Sequence, residues 1–166
     1  MEEPFEKVTG VAAVVSGFSG GTEANPTYRE VSAGGTGYAE SVDVTYDPTR
    51  VSYERLLDVY WYNIDPLTAG GQFCDKGSQY RSAIFYRDAE QQRLAESSKA
   101  RVAKQLGAPV VTEIVPFTKF FAADSSHQDF YKTNPARYQE YVQGCGRHRR
   151  LIELWGTAVG GSGEKS

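Results

Sequence analysis

The stretch GQFCDKGSQYRSAIFY, residues 71–86, joins a polar glycine-containing loop to an apolar, aromatic run. The loop carries Cys74, Asp75 and Tyr80, and the run from Tyr80 to Tyr86 predicts a strand. Polar reactive groups on a loop that a strand holds in place are a common layout of a functional site. The competing interpretation is a glycine turn with Cys74 as a small buried residue. The stretch by itself leaves both open.

Further elements are predicted on both sides of this stretch. They are a helix over 2–9, strands over 11–18 and 38–46, a helix from Ser52 to Ile64, a helix from Asp88 to Leu106, a strand over 110–117, and short helices over 125–132 and 135–142. Residues 19–28 are rich in turn-forming residues and predict a long functional loop. This order predicts an α+β fold with helices packed on a mixed sheet. We expect one domain over 1–156 and a flexible tail over 157–166.

Composition excludes several classes of protein. The chain has 166 residues and a formal net charge of −3, without the basic surface that nucleic-acid binding requires. No apolar run approaches the length of a membrane span and the start does not resemble a signal peptide, so we expect a cytoplasmic protein without a membrane partner. The two cysteines do not have zinc-finger spacing. We therefore expect no bound metal.

Four residues are candidates for hydrogen bonding and proton transfer. Glu40 precedes the alternating part of its strand, where burial would raise its pKa and make it a proton donor; the alternative is an ordinary edge glutamate. Tyr28 and Tyr80 can donate hydrogen bonds to a polar oxygen, but the chain has many tyrosines and neither of these two stands out from the others. Asp75 can orient a neighbouring group or simply close a turn.

The segment Gly144–Arg150, GCGRHRR, places Cys145 between glycines and before basic side chains. Mobility and positive charge favour a thiolate there, so we predict a redox-active thiol on a mobile turn; the alternative is a chance exposed cysteine. His127 and His148 lack the spacing of a ligand pair and are predicted to be surface or supporting residues. A third hypothesis is redox sensing by Cys74 with Cys145, which requires Cα atoms within about 7 Å.

Six segments together carry a resemblance to a known family. They are GFSGG (17–21), NPTY (25–28), GYAE (37–40), FCDKGSQYRSAIFY (73–86), HQDFY (127–131) and NP (134–135). In this order the chain resembles the A-type peptide methionine sulfoxide reductases from about residue 2 to residue 156. The resemblance implies a ferredoxin-like two-layer α+β sandwich with a mixed sheet.

The resemblance also implies an activity. Family members reduce methionine-(S)-sulfoxide, free or in oxidised proteins, and use thioredoxin or another dithiol as external reductant without a bound cofactor. We expect a monomer. By resemblance, Tyr28, Glu40 and Tyr80 surround the sulfoxide oxygen, with Glu40 as the protonated acid and Asp75 behind the pocket. Cys145 takes the place of a resolving cysteine, although members of the family vary there.

One departure concerns the nucleophile. The family's nucleophilic cysteine lies in a Gly-Cys-Phe-Trp motif that ends a first strand just before the position of Glu2, and neither Cys74 nor Cys145 matches it. We therefore expect the first strand to be missing, a sheet edge to be exposed, and activity to be impaired. The alternative function is a non-catalytic remnant that binds methionine sulfoxide peptides. An internal start methionine, or a selenocysteine codon read as a stop, would explain the departure.

Overall fold

The computed structural model describes residues 1–159, so most of the predicted tail, 160–166, lies outside the described residues. The helices are α1 Glu2–Glu6, α2 Tyr28–Ala33, α3 Tyr53–Trp61, α4 Ala89–Leu106, α5 Phe130–Thr133, α6 Pro135–Gly144 and α7 Arg147–Trp155. The strands are β1 Val11–Ser19, β2 Ala39–Tyr46, β3 Gly71–Gln72, β4 Asp75–Lys76, β5 Ala83–Tyr86, β6 Glu113–Pro116 and β7 Phe120–Ala122. In this part of the chain no helix combines the length and the apolar character needed to cross a bilayer.

The strands form both antiparallel and parallel pairs. β1 lies between β2 and β7 and is antiparallel to both, whereas β5 and β6 are parallel. The short strands β3 and β4 form a hairpin around Phe73 and Cys74. With helices packed on these strands, the α+β class expected from the sequence is confirmed.

Two arginines connect β2 and β5 across a cavity. Arg81 donates to the carbonyl oxygen of Gly37 at 3.0 Å, and Arg87 donates to the carboxylate of Asp43 at 3.1 Å. Both contacts join residues 44 positions apart, which indicates that the two segments run side by side in the same direction. Within the described residues β2 pairs with β1 and β5 pairs with β6, and residues of both β2 and β5 line one cavity.

Helix α3 provides much of the core, as its apolar stripe predicts. The Ser52 hydroxyl accepts a hydrogen bond from the Arg55 amide at 3.1 Å and so caps the first turn. Trp61 is fully buried, and its indole nitrogen donates to the Ser98 hydroxyl of α4 at 2.8 Å. Because a buried indole N–H without an acceptor would be destabilising, this bond fixes α4 against α3.

Several boundaries differ from the sequence-based expectations. The predicted loop over 19–28 is followed by a helix, α2, that was not predicted; Thr27 and Glu30 form a capping box at its start. The strand predicted over 80–86 begins only at Ala83, because 78–80 form a 3₁₀ turn. The helix predicted over 125–132 is broken into a 3₁₀ turn and α5, with Asp129 in the left-handed region at φ 52°.

The C-terminal part of the described chain also differs. Cys145 and Gly146 lie in a tight turn between α6 and α7, so the turn predicted there is present but only two residues long. Leu151 and Trp155 lie four residues apart on α7 and are both buried, which is the apolar spacing of a helix that packs on a core. A 3₁₀ turn over Gly156–Ala158 follows, and Val159 packs against the core.

Candidate active site

A cavity of about 800 Å³ lies between β2, β5 and the helices around them. Tyr28, Glu40, Asp75 and Tyr80, the residues expected to surround a polar oxygen, all line it. They come from α2, β2, β4 and the 3₁₀ turn before β5. The fold therefore gathers side chains that are distant in sequence into one site.

Glu40 lies near the start of β2, opposite Phe18 of β1. Phe18 and Ala39 are almost completely buried, so the strand is held firmly at this point. Glu40 is exposed as a whole residue and lines the cavity, and its carboxyl group is partly shielded from solvent. Burial of that group, reinforced by the negative charge of Asp75, raises the pKa of Glu40 to about 6. The carboxyl group is thus protonated in a substantial fraction of molecules just below neutral pH.

Tyr28 begins helix α2 and is fixed by two aromatic contacts. The His127 ring stacks on it with centroids 3.5 Å apart and planes 15° apart, and the Phe18 ring lies 6.1 Å away. His127 was expected to be a surface or supporting residue, and the structure places it as support for Tyr28. It also lines the cavity.

Tyr80 ends the 3₁₀ turn, where its amide donates to the carbonyl oxygen of Gly77 at 3.0 Å. Gly77 has φ 132°, a backbone conformation that favours glycine. Burial, followed by the charges of Glu40, Tyr28 and Asp75, raises the pKa of Tyr80. Tyr80 is therefore a neutral hydroxyl donor across the physiological range.

Asp75 lies on the β3–β4 hairpin, paired with Gln72. The Tyr141 hydroxyl of α6 donates to the Asp75 carboxylate. Burial and this contact raise the pKa of Tyr141, so the phenol keeps its proton. Tyr141 was not predicted as a site residue, and nothing in the local sequence distinguishes it from the other tyrosines.

Cys145 follows α6 and is joined to Cys74 by a disulfide, with Cα atoms 5.2 Å apart. The separation satisfies the distance condition stated for the redox-sensing hypothesis. Arg147, just beyond, lines the cavity, places its guanidinium 4.6 Å from the centroid of the Phe73 ring, and donates to the carbonyl oxygen of Asn63 at 2.7 Å. Burial lowers the pKa of Arg147.

The cavity thus combines hydroxyl donors with a carboxyl group of raised pKa. Such donors suit a ligand oxygen that carries partial negative charge, and an acid with a pKa near neutrality can protonate that oxygen as charge develops. In residues 1–159 no cluster of three or more His, Cys, Asp or Glu side chains has the arrangement of a metal site.

Comparison with known proteins identifies the same family as the sequence motifs do. The family model for peptide methionine sulfoxide reductase matches residues 1–158. The chain belongs to this family. Peptide methionine sulfoxide reductase MsrA of Bacillus subtilis is 48% identical over 159 residues, which cover 95% of this chain and 90% of the relative. MsrA of Listeria innocua is 46% identical over 157 residues, or 93% of this chain and 89% of the relative.

Two solved structures share the fold. Methionine sulfoxide reductase A of Corynebacterium diphtheriae superposes with a TM-score of 0.73 at 33% identity, covering 81% of this chain and 69% of that chain. Mxr1 of Saccharomyces cerevisiae in reduced form gives a TM-score of 0.77 at 26% identity, covering 81% of this chain and 79% of that chain. The resemblance stated from sequence motifs is therefore confirmed at the level of family and fold.

Proposed function

We propose that this methionine sulfoxide reductase A-type chain acts in the thiol-dependent reduction of methionine-(S)-sulfoxide, free or in oxidised proteins. The observation that carries the proposal is the meeting of Glu40, Tyr28 and Tyr80 in one cavity, with the pKa of Glu40 raised to about 6. A sulfoxide oxygen carries partial negative charge and accepts hydrogen bonds. Neutral hydroxyl and carboxyl donors stabilise it without a charge that would repel it.

In the proposed reaction a thiol attacks the sulfoxide sulfur and the oxygen passes to the attacking sulfur. The products are methionine and a sulfenic acid, and Glu40 supplies the proton that the oxygen needs as it leaves the substrate. A second thiol then displaces water from the sulfenic acid and forms a disulfide, which thioredoxin or another dithiol reduces. Cys145 is the proposed second thiol, Asp75 holds the pocket from behind, and no bound cofactor takes part.

We also propose that a polypeptide of these 166 residues is impaired in turnover, because neither of its cysteines matches the nucleophilic cysteine of the family's Gly-Cys-Phe-Trp motif. Its binding of sulfoxide is proposed to depend on Tyr28, Glu40 and Tyr80, which are present in the cavity. The chain is further proposed to work as a monomeric domain over 1–156 in the cytoplasm.

The experiment is a calorimetric titration of the chain at pH 6 with N-acetylmethionine-(S)-sulfoxide amide, its (R) epimer and the unoxidised methionine amide. We expect the (S)-sulfoxide to bind at least about tenfold more tightly than the methionine amide, since each net hydrogen bond contributes about 1 kcal/mol. Tyr80→Phe, which removes one hydroxyl, should weaken sulfoxide binding about fivefold and leave binding of the methionine amide unchanged. Equal affinity for sulfoxide and methionine would refute the proposed site.

A turnover assay with dithiothreitol tests the second part. We expect no sulfoxide-dependent formation of methionine by a polypeptide of these 166 residues. Clear turnover that is lost in Cys74→Ser would show that another thiol acts as nucleophile and would contradict the proposed impairment.

A further inference from the structure

The Cys74–Cys145 disulfide joins two segments that are also connected by other contacts. Cys74 lies at the tip of the β3–β4 hairpin, and Cys145 caps the C-terminal end of α6, where its amide donates to the Tyr141 carbonyl oxygen at 3.0 Å. The Tyr141 hydroxyl, on the same helical turn, donates to Asp75. The bridge thus lies beside the hydrogen bond that holds a site carboxylate.

A cation–π contact joins the same two segments. The Arg147 guanidinium lies 4.6 Å from the centroid of the Phe73 ring, and Phe73 immediately precedes Cys74. Phe73 is one of the few non-glycine residues with positive φ, at 53°. A residue held in that region needs support from its surroundings. The disulfide to Cys145 and the guanidinium of Arg147 both provide that support from the facing segment.

Cys74 is an exposed residue at the tip of the hairpin, which favours access of small thiols and disulfides to the bridge. Reduction needs one external dithiol, whose thiolate attacks a bridge sulfur; the dithiol becomes a disulfide and the chain gains two thiols. Oxidation by a disulfide RSSR runs in the opposite direction: two chain thiols give the bridge, and RSSR leaves as two RSH. Both directions balance with a dithiol and a disulfide as the co-reactants.

We propose that Cys74 and Cys145 form a reversible thiol–disulfide site that fixes the β3–β4 hairpin to the α6–α7 junction when oxidised and releases it when reduced. The oxidised form holds Asp75 in place against Tyr141 in the cavity. The reduced form leaves only non-covalent contacts between the two segments, so the hairpin opens more often. The pairing itself is tested without reference to sulfoxide, but it occupies the Cys145 thiol that the proposed function uses, and its effect on sulfoxide binding rests on that function.

The chain is equilibrated with glutathione disulfide or with dithiothreitol, its free thiols are alkylated, and tryptic peptides are mapped by mass spectrometry. We expect a linked Cys74–Cys145 peptide pair in the first sample and two alkylated cysteines in the second. Hydrogen exchange of the Gly77 amide, which donates to the Gly70 carbonyl oxygen at 2.9 Å and closes the hairpin, should be faster in the reduced sample. A bridge that never forms, or unchanged exchange, would overturn the proposal.

Sulfoxide affinity is then measured in both samples. Reduction should weaken binding of N-acetylmethionine-(S)-sulfoxide amide by at least about fivefold, the lower end of typical coupling between two sites. In Cys74→Ser the two samples should be identical, which controls for direct effects of the reagents. Equal affinity of oxidised and reduced wild-type chain would overturn the coupling. Failure of both forms to bind sulfoxide would instead count against the proposed function, while the exchange data would still decide the proposed thiol–disulfide site.

Discussion

The pH dependence of sulfoxide binding is the most direct test of how Glu40 acts. Its pKa is raised to about 6, first by burial and then by the charge of Asp75. A protonated carboxyl group donates to the sulfoxide oxygen, whereas a carboxylate has no proton to donate and repels that oxygen. Only the protonated form is therefore competent to bind in this way.

The expected magnitude follows from the protonated fraction. With a pKa of about 6, roughly nine-tenths of Glu40 is protonated at pH 5 and roughly one-tenth at pH 7. Since the apparent dissociation constant is the intrinsic one divided by the competent fraction, it should rise about tenfold between those two pH values. Calorimetric titration with N-acetylmethionine-(S)-sulfoxide amide at half-unit intervals measures this rise directly.

Glu40→Gln is the matched control, because its amide keeps an N–H donor of similar shape at every pH. We expect the variant to bind sulfoxide with little change between pH 5 and pH 7, whereas Glu40→Ala should bind weakly throughout. The α-amine of Met1, near Glu40, has its pKa lowered to about 5, chiefly by burial. The two groups interact, and without the Glu40 carboxylate the pKa of this amine falls further, so the difference between wild type and Glu40→Gln reports on Glu40 between pH 6 and pH 7, above the range of the amine. A flat profile in the wild type, or the same profile in Glu40→Gln, would refute the proposed role.

Wild type and Glu40→Gln should also differ in how their free energy of unfolding depends on pH. The pKa of Glu40 is raised from 4.5 to about 6 on folding, so the folded state binds the proton more tightly than the unfolded state. The contribution of Glu40 to stability is present below pH 4.5 and is lost as pH rises through about 6. Because the residue is partly exposed, solvent screening reduces the loss to about 1 kcal/mol, roughly half the value for a buried group. Urea denaturation of both proteins across this range should show the difference.

Three further predictions concern stability and can be measured by chemical denaturation. Cys74→Ser removes a bridge with a sequence separation of 71 and should lower the free energy of unfolding of the oxidised chain by about 4 kcal/mol, with no such loss under reducing conditions. Gly17→Ala should destabilise by at least about 1–3 kcal/mol because the added Cβ would lie 2.2 Å from a backbone oxygen of β7, whereas Gly144→Ala in α6 meets nothing within 4 Å and should be neutral or stabilising. Leu57→Ala at 4% exposure should cost about 3 kcal/mol and Ile152→Ala at 46% exposure less than about 0.5 kcal/mol; similar values for the two would contradict the assigned core.

The sequence predicted those parts of the fold that local signals determine. Ser52 and Asp88 cap helices where the pattern placed them, because an N-cap side chain satisfies amides within one turn. The hairpin around Phe73 was missed because it depends on distant contacts, whereas the spacing of Leu151 and Trp155 in α7 is a local signal that the sequence did carry. The hairpin is held by Arg147 and the disulfide to Cys145, which are far away in sequence.

The candidate site also contains residues that the sequence could name and one that it could not. Glu40, Tyr28, Tyr80 and Asp75 were named from motifs, and the cavity brings all four together. Tyr141 could not be named, because its importance comes from its position opposite Asp75 and not from its neighbours in the chain.

The position of Asp75 relates the two proposals to each other. The negative charge of Asp75 raises the pKa of Glu40, since two neighbouring negative charges repel. That effect depends on distance, so it persists only while the hairpin holds Asp75 at the cavity. The Tyr141 hydroxyl and the disulfide beside it hold the hairpin from the opposite segment. Opening the bridge should therefore lower the pKa of Glu40 towards its ordinary value and shift the pH profile of sulfoxide binding to lower pH, a shift that repeating the titration after reduction would reveal.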